Sequence, residues 1–136
     1  MNIQTTATAW APRVLSILRI MSALVIWQYG LQKFLSFPTP RPVETMSLSW
    51  FAGVIELILP PLLLVGFLTR PVAFILAGEM AFAYFIGHAP RGFFPVLNGG
   101  NLAIMFCFVF FYLAFAGGGP WSVDEALRRR GTRLPV

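Results

Sequence analysis

The chain carries one cysteine, Cys107, and one histidine, His88. A lone thiol forms no internal disulfide, and a lone imidazole without a cysteine or carboxylate cluster makes a poor metal site, so no metal is expected. Charge is scarce as well: 11% of residues are charged and only five are acidic, against 57% hydrophobic. The chain has no phosphate-binding glycine loop, no Ser/His/Asp set, and no haem or iron–sulfur motif. Covalent or metal-based redox chemistry by this chain alone therefore lacks the side chains to run it, and any electrons that pass need a bound organic carrier or a partner protein. Also missing is the face-to-face alternation of membrane strands, because the apolar runs are apolar on every side. Helices remain, and the expected fold class is all-α.

What the chain does have is length in its apolar runs. A mean hydropathy of +0.75 sets it apart from soluble domains. Proline, glycine and arginine punctuation cuts out four runs, about 14–35, 47–68, 71–88 and 97–116. Each is near the roughly 20 residues a helix needs to cross a bilayer core. With short connections they use nearly all of the 136 residues, so a single domain is expected, an integral membrane four-helix bundle. The first run begins basic at Arg13, but Arg19 interrupts it and no small-residue cleavage site follows, which favours a retained helix over a signal peptide.

Arg13, Arg70, Arg128, Arg129, Arg130 and Arg133 would share the side of both termini, against Lys33, Arg41 and Arg91 on the other. The positive-inside rule then places both termini in the cytoplasm, and the membrane is expected to be a bacterial inner membrane. The net charge of +5 follows from that topology and calls for no nucleic-acid partner. The Arg128–Arg130 run suits anionic lipid head groups. WSVDEALRRR offers Ser122 as an N-cap with Glu125 three residues on, acids first and arginines last, so a short interfacial helix is expected over about 122–130, anchored by Trp121.

The polar residues inside the runs carry the most information. FAGVIELILPPLLLVGFLTR holds one carboxylate, Glu56, in an otherwise apolar stretch. At about 1.5 Å of rise per residue, Arg19 lies about 8 Å deep, Glu79 about 12 Å, Glu56 about 18 Å and Tyr29 about 22 Å. An unpaired charge at mid-bilayer costs several kcal/mol or more, so Glu56 must be protonated, paired or facing water. Helical phase puts Arg19, Ser22, Tyr29, Gly30 and Lys33 on one stripe, Ser49, Gly53, Glu56 and Pro60 on a second, and Asn101, Met105, Phe108 and Tyr112 on a third. These are the expected inner faces. Depth then splits the interior in two. Arg19 and Glu79 are expected to form a structural ion pair in the cytoplasmic half. Tyr29, Lys33, Glu56 and Asn101, with His88 just above, make a candidate ligand site in which Glu56 would be the catalytic acid or base. The plainer alternative is that Glu56 hydrogen-bonds Tyr29 or Asn101 only to fix helix register. His88, beside Ala89 and Pro90, equally suits an interfacial role, and Cys107 suits a small core residue.

The order RIMSALVIWQYGLQKF, GVIELILPPLLLVGFLTRPVA, HAPRGFFPVLNGG and GGGPWSVDEA resembles the DoxX family of small four-helix bacterial membrane proteins, over roughly residues 13–126. By that resemblance Arg19, Lys33, Glu56, Thr69, Arg70 and Asp124 match family positions, and Asn101 stands where relatives often carry an acid. The family is associated with thiosulfate:quinone oxidoreductase subunits and with membrane complexes that handle thiol oxidative stress. The resemblance thus implies a redox neighbourhood. Three functions stay open. One is a subunit of a membrane redox module that binds a quinone or similar small carrier near Glu56. Another is a non-catalytic scaffold whose Gln28/Gln32 face, directed away from the interior, meets a partner protein or a second copy. The third is a small-solute or proton permease, for which broken helices and inverted repeats are lacking.

Overall fold

In the computed structural model, which describes residues 2–131, Asn2 accepts a hydrogen bond from the Gln4 amide and opens α1 (Ile3–Leu35). The helix starts well before the apolar run at Val14. Its polar lead-in is helical because Asn2 caps it and the Thr5 and Thr8 hydroxyls donate back to the carbonyls of Asn2 and Gln4, at 2.7 and 2.9 Å. Apolarity marks where a membrane can hold a helix; it does not mark where the helix begins.

Ser47 accepts the Trp50 amide at 3.1 Å and opens α2 (Leu48–Val65), which ends on Gly66 in the left-handed conformation, φ 72. Pro60 and Pro61 lie inside this helix. Lacking N–H groups, they free the carbonyls four residues earlier, those of Glu56 and Leu57. Trp27 of α1 takes one of them, its Nε1 donating to the Leu57 carbonyl at 3.1 Å. The Glu56 carbonyl faces Gly30, where an added Cβ would stand 2.7 Å from that oxygen and 2.5 Å from Leu57 N. Helix-breaking prolines on one helix and a glycine on the other therefore make the α1–α2 junction. Gly30→Ala is expected to lower stability by about 1–3 kcal/mol, as overpacking does, read as a lower unfolding temperature in detergent. An unchanged temperature would mean that the two backbones do not touch there.

Helix α3 (Thr69–Phe82) runs on through a π turn, Ala83–His88, and a 3-10 turn, Ala89–Arg91. The fourth apolar run is broken: a short α4 (Pro95–Asn98) is separated by Gly99, at φ 76, from α5 (Asn101–Ala116). Ser122 accepts the Glu125 amide at 3.2 Å and opens α6 (Val123–Arg129). Hydrogen bonds from Arg128 and Arg129 hold the Glu125 carboxyl down at about 2. Arg133 lies outside the described residues.

The helices pack as two pairs, α1 along α2 and α3 along α5, with α2 and α3 touching over a shorter stretch. A shared core joins Ala23 and Ile26 of α1, Leu63 of α2, Leu76 and Met80 of α3, and the stacked Phe106 and Phe110 of α5. Large apolar side chains also cover the outside, among them Val14, Met21, Phe74, Phe82, Phe108 and Phe115. A surface of that kind belongs in hydrocarbon. Ile3–Leu35, Leu48–Val65 and Thr69–Arg91 are long and apolar enough to cross a membrane, and α5 is a shorter apolar helix of 16 residues. No strand occurs among the described residues.

One expected inner face is corrected. On α5 the residues Asn101, Met105, Phe108 and Tyr112 are exposed, and Ala103, Phe106, Phe110 and Leu113 point inward. That helix is apolar all round, so two polar residues near its ends define no face. The choice falls to which side packs, and small Ala103 with stackable phenylalanines wins.

Candidate functional site

Gly53 prepares the site. A Cβ there would come within 2.8 Å of Lys33 Cδ and 2.9 Å of the Phe34 ring, so its absence leaves a groove for the lysine stem to lie in. The stem leads Lys33 Nζ to Glu56 Oε2 at 2.6 Å, with the two side chains only 7% and 6% exposed. The Glu56 carboxylate that the sequence left in question is thus held by a cation one helix away, in a charge-assisted hydrogen bond sheltered from water.

Beside this pair lies a cavity of about 890 Å³ between the halves of α2 and α3 remote from Gly66. Tyr29 and Lys33 of α1, Ala52 and Glu56 of α2, Glu79 of α3, His88 of the π turn, and Ala103 and Phe106 of α5 form its wall, with Arg41 and Arg91 also contributing. Gly78 and Gly87 are part of its lining, and a Cβ at either would meet nothing within 4 Å. Its size and its mainly apolar wall with a few converging polar groups are those of a small-molecule site. A π turn in the wall is itself a feature frequent at such sites.

Tyr29, Lys33, Glu56 and His88 therefore share one cavity, whereas Asn101 is exposed and lies off its wall. The buried asparagine is Asn98, which sequence reasoning passed over. Its Nδ2 donates to the Gly92 carbonyl at 2.9 Å, its Oδ1 accepts the Gly100 amide at 2.8 Å, and its own carbonyl lies 3.1 Å from His88 Nδ1. The signal was the Asn-Gly-Gly turn, in which an asparagine side chain bonds backbone two residues on. Asn98 thereby ties the loop to the ring of His88.

The expected Arg19–Glu79 pair does not form. Arg19 is fully buried and donates to the carbonyls of Gly118, Trp121 (2.7 Å) and Leu64 (3.3 Å). Ser16 joins it, donating to Gly118 O at 3.2 Å and accepting the Trp121 amide at 3.1 Å. Leu64 O is one of the last carbonyls of α2, which have no partner within the helix and sit at its negative end, so a guanidinium fork satisfies them well. Glu79, by contrast, stands about 15 Å along α3 from Thr69, beyond the reach of a side chain committed to the α2–α3 turn. The same turn receives Asp124, whose carboxylate accepts the amides of Leu68 (2.8 Å) and Thr69 (2.9 Å) and so caps the start of α3. Glu79 instead lines the cavity, where its Oε2 has no hydrogen-bond partner among the described residues.

Apolar helices packed as two pairs, with a buried lysine–glutamate pair in the wall of a cavity between them, define an all-helical membrane protein with a candidate small-molecule site. The DoxX family model matches residues 14–89, and the chain belongs to the DoxX family. It is 40% identical over 123 residues to an uncharacterized Haemophilus influenzae protein, covering 85% of this chain and 92% of that one. It is also 29% identical over 142 residues to a Mycobacterium tuberculosis protein described as an uncharacterized membrane protein, covering 89% of this chain and 85% of that one. No solved structure matches the chain.

Proposed function

We propose that the chain is a single four-span domain of a bacterial inner membrane, with both termini in the cytoplasm, and an integral subunit of a redox module that binds a quinone or similar small carrier beside Glu56. One observation carries this reading: the Lys33–Glu56 pair lies in the wall of a cavity of about 890 Å³, with Tyr29 and His88 in the same wall. The volume suits a ring-sized ligand. Lys33 steadies negative charge that develops on a carrier oxygen, and Glu56 exchanges a proton with that oxygen while a partner protein supplies or removes the electrons. α5 completes the four spans, its 16 residues being extended toward the far interface by α4 and the Asn98 turn. The cavity weighs against a purely structural scaffold, which needs no such space. Mass spectrometry of the protein purified from its own membranes is expected to find a retained quinone, and Glu56→Gln is expected to lower partner-dependent activity. A sample that keeps no such molecule, with a Glu56→Gln variant fully active, overturns the reading.

A further inference from the structure

Glu79 is a buried acid in the cavity wall, and the proton exchange assigned to Glu56 makes no use of it. Its side chain belongs to a residue only 9% exposed, and Oε2 has no partner among the described residues. A buried polar oxygen left without a hydrogen bond is costly, and a native fold keeps few of them. That oxygen is closed off from the cavity, but the Glu79 residue lines a space able to hold a molecule, and no hydrogen bond among the described residues engages its other oxygen either. Lys33, a cation of the same wall, is already joined to Glu56 at 2.6 Å.

The surroundings say which way a ligand comes. Ile75 and Phe82, one turn before and one after Glu79, line the cavity and are also exposed, as are Phe74 of α3 and Ile86 of the π turn. The cavity wall thus runs on into the surface that hydrocarbon covers, with the open space over Gly78 between. A ligand dissolved in the bilayer would meet this opening sideways, through the gap between α2 and α3.

We propose that Glu79 anchors a neutral, lipophilic hydroxyl compound that enters the cavity laterally from the membrane. This rests on the reading that the cavity takes a small carrier, and it adds the group that recognises it and the route it takes. Desolvation favours a neutral ligand, and either charge would also meet its like: an anion would face the Glu79 carboxyl, and a lipophilic cation would meet Arg41 and Arg91 in the same wall, Lys33 being joined to Glu56. A hydroxyl supplies a hydrogen bond to a carboxyl oxygen without bringing charge into a dry site.

The test uses the whole protein in lipid nanodiscs and two probes, para-butylphenol and its methyl ether, with binding measured by titration calorimetry against protein-free nanodiscs. The phenol is expected to bind roughly tenfold or more tighter than the ether, because the phenol donates a hydrogen bond to the accessible Glu79 oxygen and the ether has no donor. Glu79→Leu is expected to bring the two probes level, and Glu79→Gln, which keeps an acceptor oxygen, to retain the preference. Neither variant threatens folding by leaving a charge stranded. Gly78→Phe, projecting into open space, is expected to remove saturable binding of both probes. No preference in the wild type, or a preference that survives Glu79→Leu, overturns the role of Glu79 and leaves the carrier reading to its own retained-ligand test. Saturable binding unchanged in Gly78→Phe overturns the lateral route, and no saturable binding of either probe overturns the proposal as a whole.

Discussion

Replacing Lys33 with methionine is expected to destabilise the protein by about 3–5 kcal/mol, and Glu56→Leu by a similar amount, while the double replacement recovers most of the loss. Each single change leaves one charge in a place where side chains are only 6–7% exposed. Removing both leaves nothing unpaired. Methionine is the right probe because its chain still fills the groove over Gly53, so that the loss measured belongs to charge and not to packing. The coupling energy is read from unfolding of wild type, singles and double in detergent. Salt supplies a second check: a sheltered pair is little weakened by ionic strength, unlike a surface pair, so the cycle should give the same coupling in dilute and concentrated salt. Additive single losses would show that the pair contributes no coupling, and Glu56 would then need another account.

How much of this was legible in the sequence differs from element to element. The helical class and the apolar stretches followed from composition and length, because burial in hydrocarbon selects for both. On α1 the inner face was also legible. Arg19, Ser22 and Gly30 are buried on the side that phase assigned them, since polar and small residues there are few enough to mark one stripe. Phase and rise put Tyr29, Lys33, Glu56 and Asn101 near one level with His88 just above; all but Asn101 line one cavity, and what they bind is not legible. On α5 the same method failed, because a helix of phenylalanine, leucine and valine has no polar face to find. The π turn at Ala83–His88 and the break at Gly99 depend on neighbours and on local φ, to which hydropathy is blind. Asp124 was visible only through the family resemblance. It caps α3 across more than fifty residues of chain, a contact no periodicity announces.

Arg19 shows the largest departure and carries the other large effect. Counting the helical rise gives the height of a Cα, but an arginine head lies several ångströms from its Cα and goes where acceptors converge. Here these are the carbonyls of Leu64, Gly118 and Trp121. Arg19→Leu is therefore expected to cost about 3–5 kcal/mol, since it removes charge-assisted hydrogen bonds and leaves the Leu64 and Trp121 carbonyls without their side-chain donor, Ser16 still reaching that of Gly118. No second substitution should rescue it, because its partners are backbone. Arg19→Lys is expected to restore only part, an ammonium being a single point where the guanidinium is a fork. Glu79→Leu is expected to go the other way, gaining about 1–3 kcal/mol by removing an unpartnered buried group. The Arg19→Leu/Glu79→Leu double variant should then equal the sum of the singles within about 0.5 kcal/mol, as for sites without shared partners. Unfolding in detergent measures all three. A coupling well beyond that margin would mean that the two residues meet after all, and an Arg19→Leu protein as stable as wild type would mean that the Gly118–Trp121 segment is not held by its guanidinium.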